Sequence, residues 1–198
     1  MSYNIIFLLE EASINRVLDK ILPQLIPDKI TYICIPHQGK QDLAKSIPNK
    51  IKSFHQISPS TEFVIVHDQD SHDCKKLKTK LLNICQTAGK PDAMIRIICH
   101  ELESWFLGDL AAVEKAYNLK PYSLSRRQNQ NKYRDPDRLN SAKEELTKLL
   151  PAGYYYYPGT HSKEIAPHLS LTDNKSRSFQ IFCQGIQKIL ARVSYDPE

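Results

Sequence analysis

Apolar runs and amphipathic stretches alternate along the first half of the chain. Residues 3–9 are apolar almost throughout, the composition of a strand buried on both faces. Beyond them Ile14, Val17, Leu18, Ile21 and Leu22 recur at helical spacing, which predicts a helix from Ser13, a suitable N-cap, to about residue 25. Residues 29–35, rich in Ile, Tyr and Thr, predict a second strand. Gly39 marks a turn, and residues 41–54 predict a helix that Pro48 should break or kink. Residues 62–66 predict a third strand, residues 74–87 a helix ending near Gly89 with lysines on its outer positions, and residues 92–99 a fourth strand. Strands alternating with helices predict an α/β fold: a mainly parallel sheet with helices on both faces.

After Cys99 the pattern changes. Residues 101–106 and 109–117 look helical, and a polar, basic loop follows over residues 123–133. Asp135-Pro136-Asp137 is a good helix start, with proline near the first position and acids in the first turn, and that helix is expected to reach about residue 150. A run of tyrosines from Tyr154 to Tyr157, an aromatic packing or stacking patch, forms a break together with Pro158 and Gly159. A short helix near residues 162–168 and a final helix over residues 176–193 complete the reading. The chain divides into an α/β core, residues 1–117, and a basic, mainly helical extension, residues 118–198, packed on that core.

Composition narrows the class. A chain of 198 residues with 41% hydrophobic and 25% charged residues is built to fold, not to remain disordered. The longest apolar runs are too short to cross a bilayer, and the first residues lack a basic n-region and meet Glu10 and Glu11, so a cytoplasmic protein without membrane contact is expected. The five cysteines are odd in number and never at C-x-x-C spacing, which reads as reduced, structural thiols. Charge is unevenly placed: residues 1–117 carry 14 basic and 14 acidic side chains, residues 118–192 carry 13 and 6. A basic rear suits an anionic partner, although lysines and arginines also simply solvate helices.

In open parallel sheets, sites form where strands end. The first predicted strand runs into Glu10-Glu11 and the third into His67-Asp68-Gln69-Asp70. Residues two apart in extended backbone point to one side, so Asp68 and Asp70 converge, with Asp73 a short turn further on. His67 should then point to the opposite face. Carboxylates brought within a few ångströms repel unless a hard cation lies between them, and magnesium or manganese prefers such oxygen ligands. That chemistry suits phosphodiester or phosphoanhydride cleavage. An acid after a strand also caps the next helix, and Glu11 fits that role or solvent better than the cluster.

Glu10 closing one strand and Asp68-x-Asp70 closing a later one resemble the arrangement of the TOPRIM domain, shared by topoisomerases, bacterial primases and the overcoming-lysogenization-defect nucleases. Further stretches extend the resemblance to a bacterial TOPRIM-like family of unknown function. They are Leu9-Glu10-Glu11-Ala12-Ser13, Gly39-Lys40-Gln41-Asp42-Leu43, and His67-Asp68-Gln69-Asp70-Ser71-His72-Asp73-Cys74. Glu101 through Asp109, Arg134-Asp135-Pro136-Asp137 and Ser176-Arg177-Ser178-Phe179 complete them. The resemblance implies a TOPRIM-like sheet, Glu10 as general base or metal ligand, and Asp68 and Asp70 holding magnesium. It also implies a role in mobile elements or phage defence, sometimes beside an ATPase. One departure is Glu11, where the TOPRIM strand end carries glycine; close approach of a phosphate is less comfortable there.

Auxiliary residues follow. Glu101 and Glu103, after the fourth strand, either reach the same cluster or form the acidic first turn of a helix. Lys40, in a lone Gly-Lys turn, meets a phosphate or merely solvates the turn; it lacks the rest of a Walker A loop. His67, His72 and Cys74 raise a softer metal, but magnesium suits the oxygen ligands better. Arg126, Arg127, Lys132 and Arg134, interleaved with Asn, Gln and Tyr133, resemble a mobile phosphate-contacting loop. The expected function is a magnesium-dependent phosphotransfer enzyme, a nuclease acting on nucleic acid. The alternative is a non-catalytic binding or regulatory subunit of a partner ATPase. A nucleotide-sugar transferase using Asp68-x-Asp70 is weaker, because such enzymes are generally larger.

Overall fold

The computed structural model describes residues 3–193. In chain order the elements are β1 (Ile5–Leu9), α1 (Ala12–Leu25), β2 (Tyr32–Pro36), α2 (Lys40–Ile57), β3 (Glu62–Asp68), α3 (Cys74–Thr87) and β4 (Met94–Ile98). They are followed by α4 (Glu103–Leu107), α5 (Leu110–Ala116), α6 (Ala142–Leu149), α7 (Pro158–Ile165) and α8 (Arg177–Val193), with short 3-10 turns between. The strands form one sheet in the order β2-β1-β3-β4, every neighbouring pair parallel. This is the expected α/β fold, with helices on both faces.

Alternation along the central strands sorts side chains into two cores. Ile6, Leu8, Phe63 and Ile65 pack with Leu43, Ile47 and Ile51 of α2 and Leu81 and Cys85 of α3. Ile5, Phe7, Leu9, Val64 and Val66 face the other way, onto the Ile14–Val17–Leu18–Ile21–Leu22 stripe of α1 and onto Phe179, Phe182 and Ile186 of α8. β1 is fully buried and β3 nearly so, which explains their unbroken apolar runs. The edge strand β2 is only half-buried. Buried side chains between residues 118 and 193 belong to the same core as Phe7 and Trp105, so this region has no separate core of its own. Among the described residues no helix is long and apolar enough to cross a membrane.

Three elements differ from expectation. α7 starts at Pro158 and takes in Gly159, inside the expected break, because proline suits the first position of a helix. α2 runs unbroken through Pro48, because Leu43, Ile47 and Ile51 bury on the sheet on either side of the one lost backbone bond. The helix expected from Asp135 to about residue 150 is split into a 3-10 turn, Pro136–Arg138, and α6. Leu139 turns extended, and the Asp137 carboxylate is drawn to the start of α8, accepting Ser178 N and Ser176 Oγ, both at 2.6 Å.

Asp137 belongs to a buried polar buttress. Trp105 Nε1 donates to Ser178 Oγ at 3.0 Å, and Asn174 Nδ2 donates to the Trp105 carbonyl at 2.8 Å. Asn174 Oδ1 accepts Ser176 N at 2.9 Å, and Gln180 Nε2 donates to the Asn174 carbonyl at 2.7 Å. These bonds fix α4 against α8. Gly108 is required at the junction, since a Cβ there would lie 2.0 Å from Asn174 Oδ1 and 2.7 Å from Ser176 N. Gly108→Ala therefore overpacks the site and breaks buried hydrogen bonds, and is expected to cost about 3 kcal/mol. Urea unfolding should register this as a lower midpoint with an unchanged slope.

Candidate functional site

Strand order sets the location. β1 sits between β2 and β3, and the chain leaves β1 for α1 on one face of the sheet but leaves β3 for α3 on the other. At such a switch point the connections diverge and leave a crevice beyond the strand ends. Register carries two acids there: Leu9 pairs with Val66, so Glu10 follows at the end of β1 and Asp68 stands two residues past Val66 at the end of β3, with His67 between.

Glu10 is buried and held on all sides. Its backbone N donates to the Val66 carbonyl at 3.0 Å, and its own carbonyl accepts Gly39 N at 2.9 Å. Its Oε2 accepts the Asp68 backbone N at 2.9 Å and lies 2.8 Å from His67 Nδ1. His67 lies on the Ile65 face, as alternation requires, and meets Glu10 there; sequence reasoning missed this contact. Nδ1 also faces the Asp68 carbonyl, so with acceptors on both sides that nitrogen carries the hydrogen.

Asp68 closes β3, and alternation puts its side chain on the Val66 face of the strand. Its Oδ1 is buried and, among the described residues, has no hydrogen-bond partner. Burial holds its carboxyl well above the usual range, and the charges of Glu10, Glu11, Glu103 and Asp70 push it further in the same direction. The strand ends at Asp68, so extended alternation does not carry on to Asp70. Asp70 has a φ of 51° and is exposed, with its Oδ2 3.7 Å from Lys40 Nζ. The turn is latched to the end of β4 by Gln69 N on the Ile98 carbonyl and Asp70 N on the His100 carbonyl, at 2.8 and 2.9 Å.

The remaining candidates divide. Glu103 is buried in α4, its Oε1 accepting the Tyr156 hydroxyl at 2.8 Å, and burial raises its carboxyl too. The tyrosine run thus splits: Tyr156 packs inward, while the exposed Tyr157 stacks on His161. Glu101 turns away and accepts Lys143 N at the start of α6. Asp73 caps α3, accepting Lys76 N at 2.8 Å, and that bond lowers its pKa. Glu11 is exposed and bonds Ser13 Oγ at the start of α1; Glu11, not Ser13, is the N-cap residue. Among the described residues, no group of three or more His, Cys, Asp and Glu side chains lies close enough to hold a metal ion as the side chains stand.

The basic loop is built rather than loose. Glu114 accepts the backbone N of Tyr122, Leu124 and Ser125, and Gln128 bonds Leu110 N and the Leu107 and Tyr133 carbonyls. Arg126, Arg127 and Arg134 stay exposed, whereas Lys132 pairs with Glu145.

Because the fold favours protonated Asp68, its contribution is full below about pH 4, where an unfolded aspartate is also protonated. It is lost as pH rises through the raised folded-state value. In EDTA, Asp68→Asn should therefore be more stable than the wild type at neutral pH, with the gap closing toward pH 4. Urea unfolding at the two pH values measures it.

No curated protein and no solved structure matches the chain. The family described as a domain of unknown function, DUF4276, matches residues 9–187, which takes in every strand end and polar contact above. The chain therefore belongs to the DUF4276 family.

Proposed function

We propose that this chain is a magnesium-dependent phosphoryl-transfer enzyme, a TOPRIM-like nuclease acting on nucleic acid in the cytoplasm, with manganese able to replace magnesium. The observation that carries the reading is Asp68. It keeps a buried carboxylate oxygen without a partner, beside four other acids, at the switch point of a parallel sheet. A buried, orphaned carboxylate oxygen is costly unless a cation or proton joins it. Asp68, Glu10 and Asp70 have the hard oxygen donors that magnesium prefers and would hold it. When bound, the ion supplies an activated water and neutralises charge on the leaving oxygen.

The protein's own groups have definable tasks. The Asp68 N–H and His67 Nδ1–H fix the Glu10 carboxylate in one orientation. Glu10 is thereby poised to take a proton from water, or to serve as a ligand. Lys40, beside Asp70, is placed to neutralise phosphate charge, and Arg126, Arg127 and Arg134 would contact backbone further out. Asp73 and Glu101 are committed to helix starts, so Glu103 is the better auxiliary acid. The resemblance to TOPRIM-like proteins of mobile elements and phage defence supports the same setting.

A second reading has its own support. Glu10 is already satisfied by Asp68 N and His67, as expected of a structural acid in a regulatory subunit that docks on a partner ATPase. Calorimetric titration with magnesium separates the two readings, since only the enzyme takes up the ion. On the enzyme reading, Asp68→Asn and Glu10→Gln each lower metal-dependent cleavage of a labelled oligonucleotide by on the order of 100-fold or more. Far-UV circular dichroism should stay unchanged. Cleavage undiminished in both variants rejects the assignment.

A further inference from the structure

Beside the acids a cleft of about 530 Å³ opens between α2 and α3. Lys40 and Lys45 line it from α2, Lys76 and Lys80 from α3, and His67 from β3. Although residues 1–117 are neutral in sum, these two helices carry eight lysines against a single acid, Asp42. The one acid lining the cleft, Asp73, is taken up by the Lys76 backbone N.

Apart from Lys40, which pairs with Asp70, the cleft lysines also lack what neutralises the basic residues elsewhere. Lys132, Arg138, Lys148 and Arg192 pair with Glu145, Asp135, Glu144 and Glu62. Among the described residues, no carboxylate lies within ion-pair distance of Lys45, Lys76 or Lys80. Lys76 and Lys80 are one helical turn apart, a like-charge spacing that weakens a helix and that an anion lying across both would relieve. His67 is an independent pointer. The ring is 2% exposed, Nδ1 is committed to Glu10, and Nε2 has no partner among the described residues although the ring lines the cleft. With Nδ1 committed to Glu10, Nε2 is the ring atom left to bond a ligand group that enters the cleft.

We infer that the cleft between α2 and α3 holds the phosphodiester backbone of a single nucleic-acid strand and leads it to Glu10, Asp68 and Asp70. Lys45, Lys76 and Lys80 take phosphates, His67 Nε2 meets the phosphate nearest the acids, and Leu77 offers apolar contact to a sugar or base. A cleft of this volume suits a few nucleotides rather than a duplex. The inference rests on the nuclease reading for what happens at the acids, but the binding itself needs no metal.

The test is fluorescence anisotropy of a short labelled oligodeoxythymidylate with the full chain in EDTA. It compares the wild type, K45A/K76A/K80A and R126A/R127A/R134A. Replacing the cleft lysines removes repulsion and should leave unfolding unchanged or slightly improved, which guards against a folding artefact. The cleft variant should bind about tenfold or more weakly, and its log–log salt slope should be shallower by about 2, from three contacts at about 0.7 each on a single strand. The arginine variant should lose less. Wild-type affinity in the cleft variant, or no wild-type binding at all, overturns the inference. Displacement by ADP as effective as displacement by unlabelled oligonucleotide also overturns it, in favour of a mononucleotide site. Binding in EDTA without cleavage on adding magnesium sinks the nuclease reading and leaves the cleft. Magnesium-dependent cleavage with an unchanged KM in the cleft variant does the reverse.

Discussion

The parallel pairing of β1 with β3 governs what this molecule can do. The middle of each strand is apolar because both faces are covered, and polar groups come only toward the strand ends. With Leu9 opposite Val66, Glu10 on β1 and His67 and Asp68 on β3 emerge together at the point where the connecting helices part. Shifting the pairing by one residue would turn the Asp68 side chain to the other face and break the Glu10 bond to its N–H. Hydrophobic burial thus sets the position of the carboxylates, and hydrogen bonding sets their orientation.

Much of this architecture could be read before any coordinates. The four strands, the helices between them and the acids at the strand ends follow from runs and periodicities that act locally, and α3 has the bounds expected from its pattern. Asp70 was not legible, because the pairing of alternate residues holds only while the backbone stays extended and the chain turns at φ 51° there. Nor was the bond of Glu10 to His67, which depends on two strands lying adjacent. The rear of the chain was harder for a related reason. Asp137, Asn174, Glu114 and Gln128 determine its course by reaching backbone groups far away in sequence, and composition carries no trace of such partners.

Charge gave a mixed lesson. Tallied by region, basicity pointed to residues 118–192, yet several of those cations are neutralised locally by acids one turn or one helix away. The neutral front half conceals a separation, with carboxylates gathered at the strand ends and lysines on the helices beside them. Opposite charges held apart in this way create a directed local field that a regional sum averages to nothing.

The buttress of Trp105, Asn174, Ser178 and Asp137 has a consequence for biosynthesis. All four strands leave the ribosome before α8, yet the sheet face that α1 covers in part is completed only when Phe179, Phe182 and Ile186 arrive. Until then α4, which carries Glu103, lacks the polar bonds that Trp105 makes to Ser178 and Asn174. A nascent chain thus holds its acidic residues in an unfinished setting, and maturation of the centre waits on the element translated after every residue that forms it.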